Sequence, residues 1–297
     1  MKKILFIFFI VSCFCFSYIK VNDAQPMYTN KTDTLNVVLM CGQSNMEGGT
    51  NLVYSSTYSG YQKAFIWYKL DSTVLGVPTT YNKSVNSSYR GINSYVGPDV
   101  SFGYVYNQLT NKKILMIKYA LGGSAMVDDG TTTTAGIWQV DADYTRSNGL
   151  AHWRKLKYEW MLPIISYFKS KGIVLQFVSF LWCQGEADAA SSYRAANYQT
   201  KLIQLIDSVQ WNLNYRNVLS PKFKPIITRI HNRFYPARTY DDDIRTSQVN
   251  VANYFNGYWI NSDTFSLYSD STHWTPVGQI SQGYLQAHYL VDSILNN

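Results

Sequence analysis

The sequence predicts an α/β protein, a three-layer αβα sandwich around a central parallel sheet of about five strands. Short apolar runs alternate along the chain with longer segments of helical periodicity. Four of these runs are almost continuously apolar, which is typical of strands that are covered on both faces and therefore of a parallel sheet. The chain has no internal repeat and no linker-like segment, so one domain is expected.

The five predicted strands come from the apolar runs. They cover Leu35–Met40, Ile114–Tyr119, Val174–Trp182, Pro225–Ile230 and, more weakly, Gly257–Ile260. The predicted helices cover Ser101–Leu109, Trp153–Lys169, Tyr198–Ser208, Asp241–Tyr254 and Pro276–Ile294. The last helix opens with a proline, which is favoured in a first helical turn. Two segments, Gly49–Pro98 and Val127–Gly149, are expected to be long irregular loops, and such loops tend to line binding sites.

The N-terminus has the pattern of an export signal. Two lysines precede an apolar run from Ile4 to Tyr18, and this run is shorter than the roughly 20 residues that a membrane span needs. We predict an export signal at residues 1–24, cleaved after Ala24, followed by a single domain at residues 25–297. The expected location is secreted, periplasmic or cell-surface. A lipoprotein signal, with a lipid anchor at Cys13, is the alternative.

Composition limits the class of protein and its partners. Of the 297 residues, 46% are hydrophobic and 15% are charged, which fits a large core and excludes a disordered chain or a coiled coil. The net charge of +7 comes without a block of lysines and arginines, so no nucleic-acid partner is expected. Beyond the signal only Cys41 and Cys183 remain, which excludes a disulfide scaffold and a cysteine zinc site. The 25 tyrosines and 8 tryptophans would suit stacking on sugar rings.

Chemically useful side chains follow the predicted strands. Ligands of an open parallel sheet bind beyond the carboxyl ends of its strands. The segments "GQSN", "LGGSAM", "WCQGEAD" and "YSDSTHW" lie at or after such ends. They carry a hydroxyl, a glycine pair, a carboxamide and a carboxylate–imidazole pair: Ser44, Gly122–Gly123, Gln184, and Asp270 with His273. Acyl transfer through a serine needs this set of groups.

Each of these residues also has a purely structural interpretation. Ser44 could be a turn or helix-cap residue, the glycines could form a turn, and Gln184 could close a strand. Asp270 could stabilise its own loop. His231, which follows a predicted strand in "RIHNR", is the rival base, but it lacks the carboxylate that His273 has three residues away.

These motifs carry a family resemblance. The sequence resembles the SGNH hydrolases, and within them the sialate O-acetylesterase and carbohydrate esterase family 6 (acetylxylan esterase-like) group. The similar blocks are "GQSNMEGG", "GPDVSFGYVYNQL", "LGGSAM", "WCQGEAD", "IRTSQ" and "DSTHW", which together span Leu35 to the C-terminus. The long Thr-rich loop after Met126 departs from the family pattern.

The resemblance implies a flavodoxin-like fold and a role for each matched residue. Ser44 would be the nucleophile, and His273 the base supported by Asp270. The oxyanion hole would be formed by the backbone of Ser44, the backbone of Gly123 (or of Gly122) and the side chain of Gln184. Glu186 and Arg245 match motif positions and are expected to form a structural ion pair. No metal or cofactor is implied.

The implied sheet order also bears on the cysteines. In the order 2-1-3-4-5, Cys41 and Cys183 would lie near the ends of neighbouring strands. Because disulfide geometry is demanding, we predict free thiols.

The expected function is that of a secreted carbohydrate O-acetylesterase acting through a serine acyl-enzyme on acetylated sugars or polysaccharides, of xylan type or containing sialic acid. Two alternatives remain open. One is a catalytically silent carbohydrate-binding protein on the same fold. The other is an SGNH hydrolase of lipase or thioesterase type, which would prefer long acyl chains.

Overall fold

A computed structural model of the chain describes residues 34–48, 64–67, 79–80, 97–130, 135–142, 151–232 and 238–296. The predicted export signal, Cys13 and the Thr-rich run 131–134 lie outside these ranges, as do most of Gly49–Pro98 and residues 143–149. Within the described residues, no helix combines the length and the apolarity that crossing a bilayer requires.

Seven strands form one sheet. They are β1 (Thr34–Gly42), β2 (Ala64–Trp67), β3 (Thr79–Thr80), β4 (Ile114–Ala120), β5 (Val174–Cys183), β6 (Leu219–Thr228) and β7 (Tyr258–Ile260). The spatial order is β3-β2-β4-β1-β5-β6-β7, and every neighbouring pair is parallel except β2 with β3. The five predicted strands are β1, β4, β5, β6 and β7, so the predicted parallel sheet and its 2-1-3-4-5 order are confirmed.

Two edge strands were not predicted. β2 and β3 lie inside Gly49–Pro98, which was expected to be wholly irregular, and that part of the prediction is wrong. β2 adds one more parallel strand beside β4, and the two-residue β3 ends the sheet with an antiparallel pairing. Strands this short carry too few residues to show a period in the sequence.

The helices are α1 (Ser44–Glu47), α2 (Pro98–Thr110), α3 (His152–Lys155), α4 (Leu162–Ser170), α5 (Ser192–Tyr215), α6 (Asp241–Tyr254) and α7 (Pro276–His288). A π-helical segment, Leu156–Met161, joins α3 to α4, and a second one, Tyr289–Leu295, continues α7. Asp188–Ala190 forms a short 3₁₀ turn before α5.

The alternation of side chains along β1 explains the three layers. Val37, Leu39 and Cys41 enter a core under α3, α4, α5 and α6, whereas Val38 and Met40 enter a core under α2 and α7. Both sets are fully buried, as the continuous apolar run predicts for a strand with helices on both faces.

The helix predictions differ mainly at their ends. The predicted bounds of α6 are those observed, and the predicted helix 153–169 is one helical run with a π-helical turn in it. That turn precedes Pro163, which lacks the N–H needed for the regular α-helical pattern. α5 is much longer than predicted: Ser191 caps its start by accepting a hydrogen bond from the amide of Arg194, and polar exposed positions extend it to Tyr215.

Cys41 and Cys183 are free, as predicted, and both are buried. Gly42 of β1 pairs with Cys183 of β5, so the thiols do lie near the ends of neighbouring strands. Cys41 points into the core under α5, however, and Cys183 points into the core under α7. The sheet therefore separates the two sulfur atoms, which explains why no disulfide forms.

Candidate active site

Ser44 is the first residue of α1, directly beyond the carboxyl end of β1. The turn before it is tight: a Cβ atom on Gly42 would lie 1.9 Å from the carbonyl oxygen of Cys183, and the φ angle of Gly42 is +149°. The amide of Gln43 donates to that same carbonyl at 2.9 Å. Only glycine fits this close contact between β1 and β5. The result is a half-buried serine at a fixed place on the carboxyl edge of the sheet.

Asp270 and His273 form the predicted carboxylate–imidazole pair. The Nδ1 atom of His273 lies 2.7 Å from Oδ2 of Asp270. The other carboxylate oxygen of Asp270 accepts hydrogen bonds from the amides of Thr272 and His273, both at 2.9 Å. These bonds fix the turn and hold the imidazole with its Nδ1 proton on the carboxylate, which leaves Nε2 as the atom that can accept a proton.

Asn45 connects this turn to α1, the helix that begins at Ser44. Its Nδ2 atom donates to the carbonyl of Thr272 at 2.9 Å, and its Oδ1 atom accepts from the amide of Trp274 at 3.0 Å. Thr272 and Trp274 are the two neighbours of His273, and Asn45 is the neighbour of Ser44. The structure therefore brings the predicted nucleophile and the predicted base to the same edge of the sheet.

Two backbone amides are available as oxyanion donors. Among the described residues, the amides of Ser44 and Gly123 have no hydrogen-bond acceptor. Gly123 is exposed and adopts a φ angle of +74°, a conformation that favours glycine. Gly122, the alternative donor, is already engaged: its amide donates to Oε2 of Glu47 at 2.8 Å. A Cβ atom on Gly122 would lie 3.4 Å from Cβ of Ser44, so this turn packs against Ser44.

Gln184 does not present a free donor. Its Nε2 atom donates to the carbonyl of Ser124 at 3.0 Å and to Oδ2 of Asp188 at 2.6 Å, and the side chain is fully buried. Both N–H groups therefore bond to protein acceptors, and their geometry fixes the orientation of the carboxamide. The predicted oxyanion role of Gln184 does not agree with these contacts, which instead tie the end of β5 to the segment after β4.

A family model described as "Carbohydrate esterase, sialic acid-specific acetylesterase" matches residues 34–292. The chain belongs to this family. It is thus a carbohydrate acetylesterase, a serine-type carboxylic ester hydrolase. The resemblance drawn from the sequence motifs is confirmed. A comparison with curated proteins finds no match.

Solved structures share the fold of this acetylesterase at low sequence identity. A protein from Arabidopsis thaliana gives a TM-score of 0.61 at 18% identity, over 87% of this chain and 98% of that one. A carbohydrate acetylesterase from Xanthomonas citri gives 0.57 at 16% identity, over 88% of this chain and 57% of that one. NanS gives 0.53 at 13% identity, over 89% and 97%. At such identities these likenesses show the fold alone, an α/β sandwich around a parallel sheet.

The expected ion pair between Glu186 and Arg245 is not formed in the acetylesterase. Arg245 binds both carboxylate oxygens of Asp263, at 2.7 and 2.9 Å, and the carbonyl of Ile230 at 2.5 Å. Oε1 of Glu186 instead accepts from Nδ2 of Asn45 at 2.7 Å. Burial raises the pKa of Glu186, although the charges of Arg238 and His273 and the bond from Asn45 act in the opposite direction. Glu186 thus supports Asn45, the residue next to Ser44.

The other three histidines of the acetylesterase make different contacts. His152 is fully buried, with Nδ1 2.7 Å from the hydroxyl of Tyr119 and Nε2 2.8 Å from the carbonyl of Ala135. His288 lies 2.8 Å from Asp292 on the last helical run.

His231, the rival base, lies among charged groups that include Asp263 and Arg245, and partial burial lowers its pKa. Of the four histidines, all of which the structure describes, only His273 has chain neighbours that bond to Asn45.

Three buried polar residues of the site were not predicted: Asn45, Glu47 and Asp188. Asp188 accepts from the amides of Met126 and Val127, at 2.8 and 3.0 Å, as well as from Gln184. All three residues lie inside the motif blocks "GQSNMEGG" and "WCQGEAD". Their position in motif blocks that directly follow buried strands was the signal that could have identified them. The sequence does not show, however, which backbone groups these polar side chains bind.

Proposed function

We propose that this acetylesterase is secreted and removes acetyl groups from carbohydrates through a serine acyl-enzyme. The hydroxyl of Ser44 attacks the acetyl carbonyl while Nε2 of His273 accepts its proton. His273 then returns the proton to the departing sugar oxygen, and the acetyl group stays on Ser44. Water repeats the attack with His273 again as the base, which releases acetate and restores the serine.

The observation that supports this proposal most strongly is that the turn of Asp270 and His273 is hydrogen-bonded to the helix that begins at Ser44. The imidazole of His273 is held by Asp270 at 2.7 Å. The two neighbours of His273 are bonded to Asn45, which follows Ser44 in the chain. A structural turn has no need of an imidazole that is oriented by a carboxylate and bonded, through its neighbours, to the residue after a half-buried serine, whereas acyl transfer requires an oriented imidazole.

The proposed oxyanion hole consists of the amides of Ser44 and Gly123. A donor that points to the developing oxyanion contributes about 3–4 kcal/mol to the transition state. Glu47 supports this arrangement because it binds the amide of Gly122 and so fixes the turn that presents the next amide. The side chain of Gln184 could join the hole only if it released Ser124 or Asp188.

The substrate class follows from the family and stays open within it. The family description names sialic acid, and one structural neighbour is described as a carbohydrate acetylesterase. Acetylated sialic acids and acetylated xylan-type polysaccharides both carry an acetyl ester on a sugar hydroxyl, which is the bond that this site would cleave. We propose an acetylated carbohydrate without choosing between the two.

Acetate release from a panel of acetylated polysaccharides and acetylated sialic acids tests the proposal. We expect release by the wild type, a loss of about 10⁴-fold or more in Ser44→Ala, and wild-type rates in Ser281→Ala. Ser281 is an exposed serine on α7 that bonds its own helix, which makes it a suitable control. Undiminished release by Ser44→Ala would refute the mechanism. A preference for long acyl chains over acetate would favour a lipase or thioesterase instead.

Secretion is proposed from the N-terminal pattern alone. Export of the full chain should yield a mature protein that begins at Gln25, which N-terminal sequencing of the exported fraction would show. A mature chain that begins with a lipid-modified Cys13 would favour the lipoprotein alternative, and retention of Met1 in the cell would contradict export.

A further inference from the structure

The carboxamide of Asn45 is the only side chain among those of the described site residues that bonds directly to both neighbours of His273. It is 1% exposed, so it cannot touch a substrate. Its orientation is not ambiguous. Nδ2 faces two acceptors, Glu186 Oε1 and the carbonyl of Thr272, and Oδ1 faces the backbone N–H of Trp274.

We propose that Asn45 is a positioning residue that sets the distance between the nucleophile and the base. The inference rests on the proposed function. We call the Asn45 carboxamide and its three hydrogen bonds the Asn45 clamp. Ser44 and Asn45 are consecutive residues of the short helix α1, so the backbone of Ser44 cannot shift without moving the Asn45 clamp. The turn that carries His273 is bonded to that clamp on both sides. Proton transfer from Ser44 to His273 therefore depends on these three hydrogen bonds.

The need for such a clamp follows from the topology. Ser44 lies after β1, at the centre of the sheet, whereas His273 lies in the loop between β7, at the far edge, and α7. The turn Asp270–His273 holds its own shape through Asp270, but that bond fixes the imidazole only relative to its own loop. Asp270 and His273 are each about half exposed, so burial alone does not anchor their side chains.

Glu186 completes the clamp from a third strand. It follows β5, the neighbour of β1, and its Oε1 atom accepts from Asn45 at 2.7 Å. An amide nitrogen has two N–H groups, and here Glu186 and Thr272 take one each. The buried carboxylate thus holds the carboxamide in the orientation that the His273 turn requires.

The test compares Asn45→Ala with a matched variant, Asn212→Ala. Asn212 is also buried, at 3% exposure, and its Nδ2 atom bonds the carbonyl of Ser208 within α5. We expect kcat for an aryl acetate to fall about 100-fold in Asn45→Ala, because misplacement of a catalytic group by about 1 Å has that effect. KM should stay within about three-fold of the wild type, since Asn45 is buried away from substrate, and Asn212→Ala should keep wild-type kcat.

Asn45→Asp is the second variant, because alanine could prevent folding. It keeps the acceptor for Trp274 but loses both donors, so a fall in kcat of about 10-fold is expected, with KM again unchanged. The proposal is overturned if a folded variant keeps kcat within about three-fold of the wild type, or if KM rises while kcat stays constant. It is also overturned if neither variant shows a cooperative thermal transition, because Asn45 would then be a folding residue.

Ser44→Ala is measured in parallel, because it distinguishes a failure of the positioning role of Asn45 from a failure of the proposed function. If Ser44→Ala is inactive while the Asn45 variants are fully active, only the positioning role fails. If Ser44→Ala retains wild-type activity, the proposed function itself fails, whatever the Asn45 variants do.

Discussion

At the scale of single residues, Asp270 shows how one side chain both builds a turn and orients an imidazole. Partial burial raises the pKa of Asp270, but hydrogen bonds from the amides of His273 and Thr272 and from the His273 ring outweigh it, and the net pKa is lowered. The carboxylate is therefore ionised throughout the neutral range. An ionised acceptor on Nδ1 keeps the imidazole in the tautomer whose Nε2 lone pair faces away from Asp270.

Asp270→Asn should lower kcat/KM by about 10² to 10⁴. The asparagine oxygen can still accept from the amides of the turn, but its NH₂ group faces Nδ1 and favours the opposite tautomer. Steady-state kinetics on an aryl acetate would measure the loss, and a thermal unfolding curve would confirm that the fold is kept.

Asp292→Asn is the matched control for this change. Asp292 contacts Nδ1 of His288 at 2.8 Å in a second pair on the last helical run. Wild-type activity is expected in Asp292→Asn. Equal losses in both variants, or no loss in Asp270→Asn, would contradict the role assigned to Asp270.

Residue types were easier to predict than residue contacts. Ser44, Asp270 and His273 could be chosen because each has a chemical role that few side chains can fill, and Asp270 and His273 lie three residues apart. Gln184 was assigned a donor role that its bonds to Ser124 and Asp188 do not support. Ser124 comes from a distant part of the chain and Asp188 from the turn that follows Gln184, and a sequence motif does not record which groups its polar atoms will meet.

At the scale of elements, the segment after β4 depends on support from outside the strand. The backbones of Ala125, Ile137 and Ala151 form a small ladder, in which Trp138 donates to Ala125 and His152 to Ile137. The ring of His152 also holds the carbonyl of Ala135, and a Cβ atom on Gly123 would lie 3.4 Å from Cβ of Ala135. His152 at the start of α3 therefore supports the turn that presents the proposed oxyanion donor.

His152 should make the stability of the protein depend on pH. Burial lowers the pKa of His152 to about 4, with Lys155 acting in the same direction and the bond to Ala135 opposing it. The unfolded chain, with a histidine pKa of about 6.5, binds the proton more tightly than the folded chain. The contribution of neutral His152 is thus complete above about pH 6.5 and declines toward pH 4, by about 3 kcal/mol in total.

Urea unfolding of the wild type and His152→Gln at pH 7 and near pH 4.5 would measure this effect. The difference in the free energy of unfolding between the wild type and His152→Gln should be smaller at the lower pH. The pH dependence of the wild type alone would not isolate His152, because buried Asp188 has the opposite effect. The pKa of Asp188 is raised to about 6, so this residue makes the fold less stable as pH rises from about 4 to 6. Its effect is the same in both proteins and cancels in the difference between them. Asn212→Ala, which does not titrate, should show a constant difference. A constant difference for His152→Gln would contradict the assignment.

The long apolar strands and their order could be predicted, whereas the short edge strands β2 and β3 and the full length of α5 could not. β1, β4 and β5 are buried on both faces, and their sequences show it as continuous apolar runs. The two-residue strand β3 exists only through its pairing with β2, which no local pattern encodes. The full length of α5 was missed because half of its surface is polar and exposed.

At the scale of the whole molecule, the sheet order places the site. β1 and β5 are neighbours at the centre, so Ser44, Gln184 and Glu186 come from adjacent strand ends. β4 lies on the other side of β1 and brings Gly122 and Gly123 to the same edge. Residues far apart in sequence therefore meet at one edge of a parallel sheet. The family resemblance of the motif blocks implied the order of its strands.

The central claim is that Ser44, His273 and the amides of Ser44 and Gly123 act on one reacting carbonyl. A crystal structure of the protein after reaction with a serine-directed fluorophosphonate tests it most directly. The account predicts phosphorus bonded to Oγ of Ser44, Nε2 of His273 about 3 Å from an oxygen of the adduct, and the phosphoryl oxygen about 3 Å from both amides. Phosphorus on another residue, or a His273 ring turned away from the adduct with its turn still bonded to Asn45, would contradict it.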